Sequence, residues 1–195
     1  MKNDSVKKIT GAAILVAIEI VLQVIGNYVS LGPISLNLAL IPIALGAILY
    51  GPFVGALLGL ANGLVVLFAP STQGLFLVYA PVGTIFTCLL KCTIAGLLSG
   101  LVYKLISKKS DLVAVIVASL IVPVVNTGLF ALASMTIIID AVKAAQDILK
   151  ATDLNYYRFL FLIFIGWNFL FEFGITALLS PTIYKVMRIV RKEAQ

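Results

Sequence analysis

Three ionisable side chains stand inside long apolar runs of this 195-residue sequence: Glu19, Lys91 and Glu172. Glu19 is eleven residues from Lys8, Lys91 is thirteen from Lys104, and Glu172 is thirteen from Lys185. On a helix each would lie roughly 16–20 Å in from its basic anchor. That is close to a bilayer midplane, where a lone charge costs at least about 2.5 kcal/mol and normally faces the bundle interior. A Lys91–Glu172 or Lys91–Glu19 pair would offset much of that cost and hold helices together. One member could equally contact a polar ligand, and the residues alone leave both readings open. Asn37, Asn62, Asn126 and Asn168 form a second tier, joined by Gln23 and Asn27. Gln23 and Asn27 follow Glu19 at i, i+4 and i+8, and Asn168 shares a helix face with Glu172. Any one of these amides could serve as an interhelical hydrogen bond. Together they crowd toward the side remote from the basic anchors, which suggests a pocket open there and floored near the midplane.

Trp167, Tyr79, Tyr156 and Tyr157 could wall such a pocket, and the three tyrosines also suit an interfacial belt. Cys88 and Cys92 share a face at i, i+4, a spacing open to a metal pair but better suited to core packing. Histidine is absent. There is no G-x-x-x-x-G-K-[ST] loop, no H-E-x-x-H and no G-x-S-x-G. No catalytic residue, metal or cofactor is therefore expected, and the chain does not read as an enzyme.

The elements that must position these residues follow from composition. Sixty-two per cent of the residues are hydrophobic, 11% are charged, and the mean hydropathy is +1.15. A soluble domain needs far more polar surface. Soluble enzymes, nucleic-acid-binding domains and disordered chains are excluded. With roughly 20 apolar residues per crossing, the sequence predicts six transmembrane helices, over about 9–28, 34–50, 52–69, 77–106, 112–137 and 157–186. Pro33, Gly51-Pro52, Pro70 and the Lys108–Asp111 cluster punctuate them. The expected fold is an all-α integral membrane protein, a six-helix bundle forming one domain over 1–195. The first span is too long for a signal-peptide core and is expected to be retained.

Basic residues set the orientation. Lys2, Lys7, Lys8, Lys104, Lys108, Lys109, Lys185, Arg188, Arg191 and Lys192 fall on one side of a six-span topology. Lys143, Lys150 and Arg158 fall on the other, diluted by Asp140, Asp147 and Asp153. Ten against three places both termini in the cytoplasm. The outer segment 137–153 has near-helical apolar spacing, with Lys143 and Asp147 able to pair at i, i+4. It reads equally as an interfacial helix or an exposed connection, and more weakly as a lid. Gly51, Gly55, Gly59 and Gly63 form a small-residue ribbon on span three, echoed by Ala13/Ala17 and by Gly96/Gly100. Such ribbons mostly pack within a bundle, though one could face a partner.

The stretch 35–63, with Ile41-Pro42, Gly51-Pro52 and Gly55/Gly59/Gly63, resembles the substrate-binding S components of energy-coupling factor (ECF) vitamin transporters. Residues 91–108 and Ala13-x-x-x-Ala17 extend the resemblance over nearly the whole chain, toward the group of riboflavin, folate, pantothenate and cobalamin binders. The resemblance implies a membrane subunit that captures a water-soluble vitamin from outside, with pantothenate or riboflavin as first candidates. It implies as partners a transmembrane coupling protein and two cytoplasmic ATPases, with Ala13 and Ala17 meeting the coupling protein. It implies a pocket at the outer ends of helices four to six, where Lys91, Asn126 and Asn168 fall in suitable places and Glu172 lies deeper, with loops 29–37 and 70–78 able to close over the ligand; Asn37, Asn62 and Tyr79, read from the residues, complete the expected substrate-binding set. The alternatives are an independent proton- or ion-coupled carrier using Glu19, Lys91 and Glu172 as a relay, and a structural membrane protein whose buried charges only fix packing.

Overall fold

A computed structural model of the protein describes residues 2–28 and 35–192, with side chains from residue 6 onward. The expected turn at Pro33, the 29–34 part of the first loop and the Lys2 side chain lie outside the described residues. The helices are α1 (Lys2–Tyr28), α2 (Leu40–Tyr50) and α3 (Pro52–Leu67). A π-helical turn, Thr72–Phe76, then leads into the single turn α4 (Leu77–Tyr79). After them come α5 (Pro81–Ile106), α6 (Asp111–Ser134), α7 (Ile139–Ile148) and the short α8 (Tyr156–Arg158). A second π-helical segment, Phe159–Phe164, joins α8 to α9 (Gly166–Lys192).

Among the described residues, four stretches are long and apolar enough to cross a membrane: Val6–Tyr28, Pro81–Ile106, Asp111–Ser134 and Tyr156–Lys192. Pro52–Leu67 and Thr72–Tyr79 make a fifth if that pair, bent by 67°, is one crossing. The chain is a helical, multi-pass membrane protein. The expected second span, 34–50, is helical only from Leu40 and has 11 residues. That length reaches roughly 16 Å, well short of the apolar core of a bilayer. The expected fourth span, 77–106, is broken at Ala80, whose φ of −147° and ψ of 63° leave the helix. Pro81 follows, and the residue before a proline is pushed out of the α region while proline itself suits the first helical position.

Gly51 makes the tight link between α2 and α3. Its φ of 101° is strained for any side chain, its N–H bonds to Ala47 O, and Pro52 starts the next helix. The glycine ribbon lies against α5. A Cβ added at Gly55, Gly59 or Gly63 would collide with the backbone at Gly96, Cys92 or Cys88. The ribbon therefore lets two main chains come together inside the bundle. Ala13 and Ala17, by contrast, are exposed on α1, beside exposed Ile14 and Ile18.

Two apolar clusters fill the interior. One centres on Leu40, Ile43, Leu58, Ala95, Val115 and Met187. The other centres on Phe76, Ile138, Val142, Phe159, Leu160 and Phe164. The second includes the buried face of α7, where Ala141, Val142, Ala145 and Gln146 turn inward while Lys143 and Asp147 stay exposed and unbridged. Gln146 Nε2 donates to Ala151 O at 3.0 Å and Leu154 O at 2.8 Å, which fixes the turn after the helix.

Candidate ligand-binding cavity

A cavity opens at the end of the bundle where α1, α3 and α6 finish and α5 and α9 begin. The basic ends, with Lys7, Lys8, Lys104, Lys185 and Arg191, lie at the opposite end. Gln23 and Asn27 come from the last turns of α1, and Ser35 and Asn37 from the segment before α2. On α5, Thr84, Thr87, Cys88 and Lys91 recur at i, i+3, i+4 and i+7 and so share one face. Asn126, Thr127 and Phe130 of α6 face Asn168, Phe169 and Glu172 of α9 across it.

One hydrogen-bonded chain runs beside the cavity through four helices and the segment before α2. Glu172 Oε1 accepts from the Asn37 backbone N–H at 2.9 Å. Asn37 Oδ1 accepts from Asn62 Nδ2 at 3.2 Å. The same Nδ2 reaches Cys92 Sγ at 3.4 Å, and that thiol donates to Asn126 Oδ1 at 3.3 Å. Helices α9, α3, α5 and α6 are thereby tied together through a run of buried polar groups, each of which would be costly alone. Asn37 Nδ2 and Gln23 Oε1, both on the cavity wall, have no partner among the described residues.

Neither ion pair considered for Lys91 forms, since no acidic oxygen lies within 4.0 Å of Lys91 Nζ. The ammonium stands over the Phe130 ring at 5.1 Å from its centroid. Glu19 is fully buried outside the cavity lining, and its two oxygens have no partner among the described residues. The only ion pair among those residues, Arg191–Asp111 at 3.5 Å, is half exposed at the basic end.

Of the seven residues expected to bind substrate, Asn37, Lys91, Asn126, Asn168 and Glu172 line the cavity. Asn62 is fully buried behind Asn37. Tyr79 is half exposed and outside the lining, and Trp167 is 59% exposed on the far side of α9. The aromatic wall is built from Phe76, Phe130 and Phe169. Phe76 meets Phe130 edge to face with centroids 5.7 Å apart, and Phe164 packs against both. Thr84, Thr87 and Cys88 were absent from the expected set, although their helical spacing up to Lys91 was a usable signal.

The loop after α3 contributes Ser71, Thr72 and Phe76 to the lining, and Ser71 Oγ meets Ser35 Oγ at 3.1 Å. The segments following α1 and α3 are therefore in contact over the cavity. Both π-helical segments border this region, where such irregular turns re-aim side chains.

Comparison with curated proteins and with solved structures finds no match. Residues 7–184 match the sequence profile of the ECF transporter, substrate-specific component. That span takes in every helix from α1 through most of α9 and all the residues of the cavity. The chain therefore belongs to the family of substrate-specific components of ECF transporters.

Proposed function

We propose that this subunit captures a water-soluble vitamin from outside the cell and delivers it to an ATP-driven coupling module. The observation that carries the reading is the cavity itself. It is lined by amides, hydroxyls and phenylalanines together, and it is set at the end opposite most of the basic residues. By the charge rule those basic ends face the cytoplasm, so the cavity faces outward. In this reading 1–195 is one membrane domain with both termini inside, and short α2 completes a sixth crossing by sitting against its neighbours rather than against lipid. Pantothenate and riboflavin are the first candidates. The site is composed of Asn37, Lys91, Asn126, Asn168 and Glu172, with Asn62 supporting Asn37 from behind; Tyr79 sits at its rim.

The partners are a transmembrane coupling protein and two cytoplasmic ATPases, with Ala13 and Ala17 on exposed α1 as the docking stripe. The location is the cell membrane. No residue is assigned a catalytic role, and no cofactor is needed. The test is thermal denaturation of the purified chain against a vitamin panel. A ligand present at 100 times its Kd should stabilise the protein by about 2.7 kcal/mol. Failure of every vitamin to raise the melting temperature, together with no small molecule co-purifying by mass spectrometry, would refute the reading.

A further inference from the structure

Among the described residues two charged side chains line the cavity, Lys91 on α5 and Glu172 on α9, and they are opposite in sign. They do not neutralise each other, since no acidic oxygen approaches Lys91 Nζ within 4.0 Å. Each has a protein contact that leaves it able to engage a guest. Lys91 rests on the Phe130 face, an interaction that uses none of its three N–H donors. Glu172 uses Oε1 to accept one N–H from Asn37, and a carboxylate has room for more donors than that.

We infer that the cavity selects a carboxylic acid that also carries hydrogen-bond-donor substituents. The ligand's carboxylate seats at Lys91, and a hydroxyl, amide N–H or ammonium of the ligand donates to Glu172. The inference rests on the vitamin-binding reading and narrows its ligand. A guest without an anion would strip water from the Lys91 ammonium and return at most hydrogen bonds from neutral oxygens or nitrogens. A carboxylate returns a charge-assisted hydrogen bond. Glu172 repels that same carboxylate and attracts donors, so the two residues fix which way round the guest enters. Asn37 Nδ2, without a partner among the described residues, adds one donor to the lining for a ligand oxygen. Phe76 and Phe130, edge to face at 5.7 Å, supply apolar contact for the body of the ligand. Of the two first candidates, pantothenate has the carboxylate and the hydroxyls, and riboflavin has no carboxylate.

The test uses the full chain in detergent with matched acid and uncharged pairs: pantothenate and panthenol, nicotinate and nicotinamide, biotin and biotin amide, with riboflavin alongside. The expected result is that at least one acid binds about tenfold or more tighter than its uncharged partner, the low end for one charge-assisted hydrogen bond. Lys91→Met should erase that preference and Lys91→Arg should retain it. The comparison within each pair on the unmodified protein stands even if a variant fails to fold. Tightest binding of riboflavin, of panthenol or of an amide would overturn the inference while leaving vitamin binding intact. So would an acid preference that survives in a folded Lys91→Met protein. If no compound in the panel binds, this inference falls, while the vitamin-binding reading is decided by the full vitamin panel and the co-purification test.

Discussion

Asn62 ties the site together without touching the cavity. It is fully buried, and its single Nδ2 donates both to Asn37 Oδ1 and to Cys92 Sγ. Asn37 in turn presents its backbone N–H to Glu172. Asn62→Leu is nearly isosteric but leaves Asn37 Oδ1 without that donor and loosens the α3–α5 junction. A cost of about 1–2 kcal/mol is expected, the scale of a hydrogen-bonded polar pair between membrane helices. It should be read as a lower melting temperature, with ligand affinity falling as well because Asn37 forms part of the wall. An unchanged melting temperature would mean that the polar chain contributes nothing to stability. The amides were legible in the sequence because a polar group in an apolar run has few places to go. Cys92 was not, since a thiol reads as a small hydrophobe until its hydrogen bonds to Asn62 and Asn126 are seen. Phe130 was equally hidden, because an apolar residue on a largely apolar helix carries no mark of which face it occupies. Trp167 shows the converse error. It is adjacent to Asn168, and neighbours on a helix point about 100° apart. With Asn168 on the cavity, Trp167 is turned away from it.

At the level of elements, the contact between α3 and α5 is set by main-chain approach, so it can be tested with single methyl groups. A Cβ at Gly59 would overlap Cys92 O, a backbone atom that cannot swing aside. Gly59→Ala must push the helices apart and is expected to destabilise the protein by about 1–3 kcal/mol, as overpacking does elsewhere. Gly174 on α9 is the control, because nothing lies within 4 Å of its Cβ position. Gly174→Ala gains helix propensity and should be neutral or stabilising by up to about 1 kcal/mol. Equal melting temperatures for the two variants would show that α3 and α5 do not pack as closely as described. The four-residue glycine period and the Gly51-Pro52 junction were visible in the sequence because glycine and proline encode backbone constraints directly. The two π-helical segments, the 67° bend after α3 and the brevity of α2 were not. Each depends on how a segment fits its neighbours. Hydropathy measures only the tendency to leave water, so it joined 77–79 to the span that follows and left Thr72–Phe76 as a plain connection.

On the scale of the whole molecule, the two ends differ in kind, and the difference divides the labour. One end holds the cavity, the aromatic cluster and α7; the other holds most of the basic side chains and the Tyr103–Asp111–Arg191 contacts, with Tyr103 Oη donating to Asp111 at 2.9 Å. Between them, α1 buries only a narrow strip that includes Leu15, Glu19 and Gln23 and leaves much of its surface uncovered. Ala13 and Ala17 lie on that uncovered surface, away from the cavity lining. If α1 is where the coupling protein docks, capture and delivery should be separable by mutation. Replacing both alanines, Ala13→Trp with Ala17→Trp, adds bulk where nothing in this chain is displaced, while a partner helix needing close approach would be blocked. The expected outcome is a subunit that still melts at the normal temperature and still binds its ligand, but no longer co-purifies with the coupling module or supports ATP-driven uptake in liposomes. Retained assembly and uptake in that variant would exclude α1 as the docking helix. Loss of ligand binding instead would mean that the exposed stripe and the cavity are energetically one site, which their placement on the bundle argues against.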